Sequence, residues 1–466
     1  MFSLSPCILR TTTTLPQQVV LVVVRRSLIP YLMAVENGAS SNPPSNTEVD
    51  LVGGPFAVVE SDPGVFTTLI RKLGIKGIEV EEVYDIQPWG LDHLKPKGLI
   101  LCFNWKHDKY HPHDFLDPAA KDIWFANQLV DDACASLAIL NVLFNCLDVE
   151  LGDELNGFRR ETSDMSPKMK GLAISNSRLL RETQNSLARP SDMWGSISAI
   201  AEATHKLHAD LNKRPKKKAK GRHGWSTVNQ RPVNSKKRKL EETDTETFHF
   251  IGYVPAHGKV WELDGLKSGP LEVGELPKPD STEGWENVVR PALRLKMQKY
   301  GAFGGVKAAA ENIQFNLLAL VQDRYEIKSD ELELLKREKI ALESRMKETY
   351  GETWSQKVDE DLLSGSQDVF TTLAQASEPE KTFAKDFGSR AMEQKLLILN
   401  MPTEELVEAW QSCITRAMPI KIAIDEEVQK AISAQTETVK RTHDYTPFIR
   451  EFLTSLHNEG LHRIYS

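Results

Sequence analysis

Apolar residues recur along this chain in two periods, and the change from one to the other marks out its elements. Val65, Leu69, Ile70 and Leu73 have helical spacing, with Asp62 placed as N-cap before Pro63 and Gly74 as the stop. Val80 to Tyr84 and Gly98 to Trp105 read as strands, the second apolar enough to be central. Asn104 to Pro118 is a polar loop, and Cys134 opens a helix with Leu137, Ala138, Leu140, Leu143 and Phe144 at core spacing. Helical texture continues through Leu187. Strand alternation returns at Phe248 to Val254 and Lys259 to Leu263, followed by a helix from Trp285 to Tyr300 and a strand from Phe315 to Val321. Such a mixture specifies an α/β or α+β domain. Beyond Arg324 the chain is helical and charged, with helices expected at Ile327 to Tyr350, Pro419 to Lys440 and Pro447 to His457. In the first of these Leu332, Leu335, Ile340 and Leu342 form an apolar seam, and Gly351 to Pro402 is expected to be less regular and partly disordered.

At 466 residues with 40% hydrophobic content, two or three domains with a sizeable core are possible. A net charge of −7 names no partner. Five cysteines (7, 102, 134, 146 and 413), without a CxxC pair, fit a reducing compartment and argue against a disulfide framework or zinc ribbon. Cys102 and Cys146 lie among apolar residues and read as inert core thiols. No apolar run approaches membrane-spanning length; Val19 to Val24 is far too short. The first 32 residues, with Arg10, Arg25 and Arg26 and no acid before Glu36, have transit-peptide composition. The polar leader beginning at Met33 supports the other reading, a start at Met33 after an over-extended beginning, and that reading is adopted.

Charge becomes informative in the middle of the chain. Between Lys213 and Lys239 twelve residues are Lys or Arg and none is acidic, in clusters at 213–218 and 236–239. Such a segment buries no core, and disorder is expected from about 190 to 247. It can be a solvated spacer, a bipartite nuclear localisation signal, or a weak tether for nucleic acid; nuclear targeting ranks first.

Gln128 stands six residues before Cys134, which opens its helix. A helix N-terminus places partial positive charge and free N–H groups beside a sulfur, favouring thiolate. The glutamine amide then reaches back to form an oxyanion hole with the cysteine N–H. A nucleophile also needs a base and an acceptor to orient it. Phe248 to Gly265 reads as a β-hairpin turning at Pro255-Ala256-His257-Gly258. A turn centred between Ala256 and His257 sets His249 directly across from Asp264, with Cβ atoms about 5 Å apart.

Phe-Ala-Asn-Gln128 through Cys134-Ala, Phe-His249-Phe, Tyr-Val-Pro and Glu-Leu-Asp264-Gly-Leu closely resemble the ubiquitin C-terminal hydrolase family. Val-Glu-Ser-Asp-Pro-Gly-Val-Phe and the run from Met169 match it too, as do Glu426-Glu-Val-Gln-Lys and His443-Asp-Tyr-Thr-Pro-Phe-Ile. The later pieces resemble the helical extension of the long-form members, one associated with the proteasome and a chromatin remodeller, another with histone deubiquitination. The resemblance implies a papain-like, knotted α/β fold and thiol-dependent hydrolysis after the C-terminal glycine of ubiquitin. It assigns Cys134 as nucleophile, His249 as general base and acid, Asp264 as its orienter and Gln128 to the oxyanion hole, with no metal or cofactor. The domains then read as a leader (1–52), a catalytic domain (53–325) and an adaptor-binding helical extension (326–466). Pro55-Phe56 departs from the family pattern where a tryptophan is common, and is expected to touch packing near the ubiquitin surface. Nuclear and cytoplasmic residence and no membrane partner are expected.

A proteasome- or remodeller-associated role is preferred to a histone-directed one because no basic tail precedes Ser466, although Ala188-Arg-Pro190 and Leu263-Asp-Gly-Leu-Lys267 lean the other way. A catalytically idle ubiquitin-binding scaffold is the reading from another class. His111, His113 and Asp114 lack a distant third ligand and read as solvated; His205 and His208 read as the surface of a helix. Deleting 213–239 is expected to move the protein from nucleus to cytosol in fluorescence imaging, and unchanged nuclear residence would exclude the targeting role.

Overall fold

Strands β1 (Ile78–Glu82), β2 (Gly98–Asn104), β3 (Phe248–Ala256), β4 (Lys259–Leu263), β5 (Leu271–Glu275) and β6 (Phe315–Gln322) form one antiparallel sheet. Their order is β1-β6-β2-β3-β4-β5. The computed structural model describes residues 54–104, 117–211, 248–301, 315–373 and 383–459. The leader, the basic stretch 213–239, Cys7 and the histidines at 111 and 113 lie outside them.

Layers on both faces explain why β2 is apolar throughout. Ile100, Cys102, Phe250, Val254, Leu318 and Leu320 share one core with helices α1 (Pro63–Lys72) and α2 (Cys134–Leu143). The alternate positions Leu99, Leu101, Phe103, Ile251, Tyr253 and Leu317 share a second core with Trp285, Val289 and Leu293. Between α2 and β3 lie α3 (Gly152–Thr162), α4 (Pro167–Asn176), α5 (Arg178–Asn185) and α6 (Pro190–Leu211); α7 (Trp285–Gly301) supplies the second core's helix. α2 packs closely enough that two facing strand positions must be glycine. A Cβ on Gly98 would lie 2.2 Å from Val142 Cγ1, and one on Gly252 would lie 2.7 Å from Val142 Cγ2.

A third core builds the C-terminal region. Leu332, Leu335, Leu342 and Met346 of α8 (Arg324–Tyr350) pack with Trp410, Cys413, Ile414 and Ile424 of α10 (Leu406–Thr442). Between them runs α9 (Phe387–Asn400), and α11 (Thr446–Asn458) ends the described chain. Charges tie this region to the sheet edge. Arg324 and Lys430 bridge Glu79 and Glu81 of β1 and Glu427 of α10, while Arg71 of α1 pairs with Asp323, the N-cap of α8. Burial pushes the Glu79 carboxyl up, more than nearby Lys430 pulls it down.

Several expectations are corrected. Residues 190–211 are helical, not disordered: Pro190 occupies the first turn, and Ala, Glu, Leu and Ile carry the helix until the basic run. α10 begins at Leu406 instead of Pro419, because Trp410, Cys413 and Ile414 are buried ahead of the proline and outweigh its cost of about 3 kcal/mol. Ile340 is exposed while Leu332, Leu335 and Leu342 are buried, so the seam omits it. The β3–β4 turn is centred two positions' worth of register later than expected. Ala256 pairs with Lys259, and His257 and Gly258 take φ values of 52° and 75°, the double left-handed signature of a type I′ turn. Asp264 is therefore a diagonal neighbour of His249, on the same face because the shift is an even number of residues.

Gly252→Ala is expected to destabilise the chain by about 1–3 kcal/mol through overpacking. Urea unfolding checks this, and adding Val142→Ala should recover part of the loss by removing the clashing methyl.

Candidate active site

α2 has no side-chain cap of its own, since Ala133 occupies the N-cap position. A distant residue supplies it. Gln184 of α5, fully buried, accepts from the Ser136 N–H (3.2 Å) and hydroxyl (2.7 Å) through Oε1. Its Nε2 donates to the carbonyls of Asp132 (2.6 Å) and Ala57 (2.8 Å). Ser196 of α6 donates to the Asp132 carboxylate at 3.0 Å. The turn that presents Cys134 is thus held from two helices, and the sequence carries no local sign of either contact.

The approach to Cys134 is held with equal care. Trp124 to Ala126 runs extended beside α2 and is paired by two buried asparagines. Asn141 Oδ1 accepts from the Ala126 N–H (2.9 Å) and Asn145 Oδ1 from the Trp124 N–H (2.8 Å), and their amides donate back to the same residues' carbonyls. Four residues of helix rise about 6 Å and two extended residues span about 6.7 Å, so the spacings match. Next in the chain, Asn127 donates its side-chain amide to the carbonyls of Gly265 (3.1 Å) and Lys267 (2.6 Å). Gln128 donates its backbone N–H to Gly265 at 2.9 Å. Gly265 has to be glycine: a Cβ there would lie 2.5 Å from Leu137 Cδ2 and 3.1 Å from Gln128 Cβ. Asn127 and Gly265 bolt the Gln128 segment to the loop that carries Asp264.

His249 and Asp264 are brought together. Nε2 and Oδ1 lie 2.7 Å apart with both side chains buried, and Oδ1 also accepts the Leu266 N–H at 3.0 Å. Burial works to raise the Asp264 carboxyl, yet the His249 hydrogen bond and charge, the Leu266 N–H and Lys296 outweigh it and hold it below its ordinary value. An ionised Asp264 only accepts, so Nε2 carries the proton and Nδ1 is left with a lone pair. Phe103, paired with His249 across β2 and β3, sets its ring edge-on at 5.8 Å.

Cys134 behaves differently from the expectation of a ready thiolate. Burial pushes its thiol up to about 12, aided by Cys102 and Asp132, and the Ala135 and Cys134 N–H groups pull down less than burial pushes up. The helix start acts in the anticipated direction and loses to desolvation. Among the described residues no hydrogen bond joins Cys134 to His249. Cys102, Cys146 and Cys413 are also buried and pushed up to about 12, as inert core thiols should be. His205 and His208 are exposed, and no His, Cys, Asp or Glu group among the described residues is arranged to hold a metal ion.

A buried cysteine opening a helix and a carboxylate-held imidazole are the equipment of a thiol hydrolase. Residues 56–298 match the family described as ubiquitin carboxyl-terminal hydrolase, family 1, and 419–461 match a second model, ubiquitin carboxyl-terminal hydrolases. The chain belongs to this family of papain-like cysteine proteases, and it is a deubiquitinase. It is 30% identical over 402 residues to ubiquitin carboxyl-terminal hydrolase isozyme L5 of Dictyostelium discoideum, covering 86% of this chain and 91% of that one. It is 27% identical over 442 residues to calypso of Drosophila melanogaster, covering 92% and 78%. Among solved structures, Trichinella spiralis UCH37 bound to ubiquitin vinyl methyl ester is 25% identical, with 68% and 97% covered and a TM-score of 0.40.

A thiol titrating near its ordinary value would stop gaining alkylation rate above about pH 9.5. With burial in control, iodoacetamide labelling of Cys134 in the free chain, followed by peptide mass spectrometry, is expected to keep rising about tenfold per pH unit through pH 10. A plateau below pH 9 would contradict the masked thiol.

Proposed function

We propose that Cys134 is the nucleophile of this deubiquitinase, His249 its general base and later acid, and Asp264 the residue that orients His249. The Gln128 amide and the Cys134 N–H stabilise the oxyanion, and the bond hydrolysed follows the C-terminal glycine of ubiquitin. One observation carries this reading: the 2.7 Å contact between His249 Nε2 and an Asp264 oxygen already accepting a backbone N–H. It dedicates Nδ1 to the proton of the thiol. In the reaction Nδ1 takes that proton as sulfur attacks the carbonyl carbon. His249 then returns it to the departing amine, leaving a thioester on Cys134. A water activated by the same nitrogen releases ubiquitin's carboxylate.

The thiol needs substrate to become reactive. Its burial, with no hydrogen bond to His249 among the described residues, describes a resting arrangement, and catalytic hydrogen bonds commonly tighten only in the substrate complex. Exposed Leu129, Met169, Leu172 and Leu266 flank the Gln128 and Asp264 segments and offer apolar surface to ubiquitin. At the far end of the chain α11 exposes Phe448, Ile449, Phe452 and Leu453 and buries nothing. That unsatisfied face supports recruitment by an adaptor domain at the proteasome or a chromatin remodeller. The Ala188-Arg-Pro190 and Leu263-Asp-Gly-Leu-Lys267 motifs keep a histone-directed role as the second reading.

Hydrolysis of a fluorogenic ubiquitin C-terminal amide tests the site. Cys134→Ala should abolish turnover, Asp264→Asn should lower kcat by about 10⁴, and Gln128→Ala by roughly 10²–10³. An idle scaffold would bind ubiquitin equally in all of them and turn over in none, wild type included. For the extension, Phe452→Asp should lose the adaptor in affinity purification while leaving this hydrolysis unchanged; retention of the adaptor would remove α11 from the docking surface.

A further inference from the structure

Behind the His249–Asp264 pair, on the α7 side of the sheet, lies a buried set of polar groups that the reaction as written does not use. Glu262 precedes Asp264 by two residues, so both side chains leave the same face of the chain. Glu262 is buried, yet both its oxygens are engaged: Oε1 accepts from Lys296 Nζ at 2.7 Å, and Oε2 from the Tyr253 hydroxyl at 3.0 Å. Tyr253 stands directly across from Glu262 in the β3–β4 register. One turn beyond Lys296 on α7, the Tyr300 ring packs 4.3 Å from Phe103, and Phe103 meets His249 edge-on at 5.8 Å. A single face of α7 therefore sends a cation toward the carboxylates and an aromatic backing toward the imidazole.

We propose that Lys296 is a positioning residue for this active site: paired with Glu262, whose other oxygen takes the Tyr253 hydroxyl, it adds a partly buried positive charge that helps His249 and the Leu266 N–H keep Asp264 an anion. The proposal rests on the assignment of His249 and Asp264 made above. Two buried carboxylates two residues apart repel each other, and a cation placed beside them offsets that repulsion. Lys296 is a single charge shared between them, touching Glu262 and acting on Asp264 through its field. Tyr253 cannot take over that role. Burial first, then Glu262, Asp264 and Tyr300, push its phenol well above its ordinary value, so it remains a neutral donor. Among the described residues His249 and Tyr253 of β3 and Lys296 of α7 interact with Asp264, while Glu262, two residues before it, and Tyr300 of α7 act on Tyr253.

The sign of the effect is fixed by charge. Removing a cation makes every nearby group hold its proton to higher pH, so the acid limb of activity moves upward; removing Glu262's charge moves it downward. The test is the pH profile of kcat/KM for the full-length chain on a fluorogenic ubiquitin C-terminal amide. Lys296→Met is expected to move the acid limb up by roughly one pH unit, with much of the activity recovered on the alkaline side. Lys296→Arg should restore the wild-type limb. Glu262→Gln should move the limb down, and added to Lys296→Met it should bring the limb back toward wild type.

A packing role would instead lower activity evenly at all pH values, without a shift and without rescue by the second substitution. That result in a Lys296→Met variant that keeps its melting temperature overturns the proposal. If Lys296→Met does not fold, an unmoved limb in Glu262→Gln overturns it. Controls separate the two levels of the argument. Activity surviving in His249→Ala would defeat the site assignment itself. Loss in His249→Ala with an unmoved limb in the Lys296 and Glu262 variants defeats only the present inference.

Discussion

The pairing of Trp124–Ala126 with Asn141 and Asn145 is the constraint on which the rest of the site depends. Backbone running extended next to a helix would leave its polar groups buried and unpaired. An unmade hydrogen bond of that kind costs about 1–3 kcal/mol. The two asparagines, Asn141 on α2 and Asn145 in the turn just after it, imitate the edge of a sheet strand and satisfy N–H and C=O alike. Once that segment is aligned on α2, the distance from Gln128 to Cys134 ceases to be a property of a flexible loop. Gln184 then closes the helix start, and Asn127 joins the same segment to the turn after Asp264.

The core of the fold was legible because its periods are clean. β2 is apolar from Leu99 to Phe103 and β3 from Phe250 to Ala256, as strands covered on both faces must be, and α2 is buried around its whole circumference with Ser136 and Asn141 as its polar positions. The pairing of His249 with Asp264 was legible for a subtler reason. The turn was misplaced, yet a register error of two residues preserves the face of every side chain, so the right partners survived the wrong register. A slip of one residue would have separated them. Gln184, Asn127, Asn141, Asn145 and Lys296 were not legible. Each acts through a contact distant in sequence or through a backbone carbonyl, and neither leaves a local pattern of residue types. The state of Cys134 was misjudged because helix position is visible in sequence while the depth of burial is not, and burial is the larger influence on this thiol.

Access, then, is the quantity that this architecture controls. Cys134 lies inside a core shared with α1 and β2. Its leading turn is gripped by α5 and by α6, the helix that leads toward the basic stretch. The C-terminal helices reach the same lobe from the opposite sheet edge, through Arg324, Lys430 and the carboxylates of β1. α10 itself packs against α1, which shares a core with Cys134, so the C-terminal region and the cysteine are joined by one packed helix pair.

The most direct measurement of the central claim is mapping of the adduct formed with ubiquitin carrying a C-terminal electrophile. A single modification at Cys134, faster than that of the same cysteine by a small alkylating agent and lost in His249→Ala, is the predicted result. Labelling at Cys102, Cys146 or Cys413 instead, or labelling of Cys134 that ubiquitin does not accelerate, would contradict a buried nucleophile activated by its substrate.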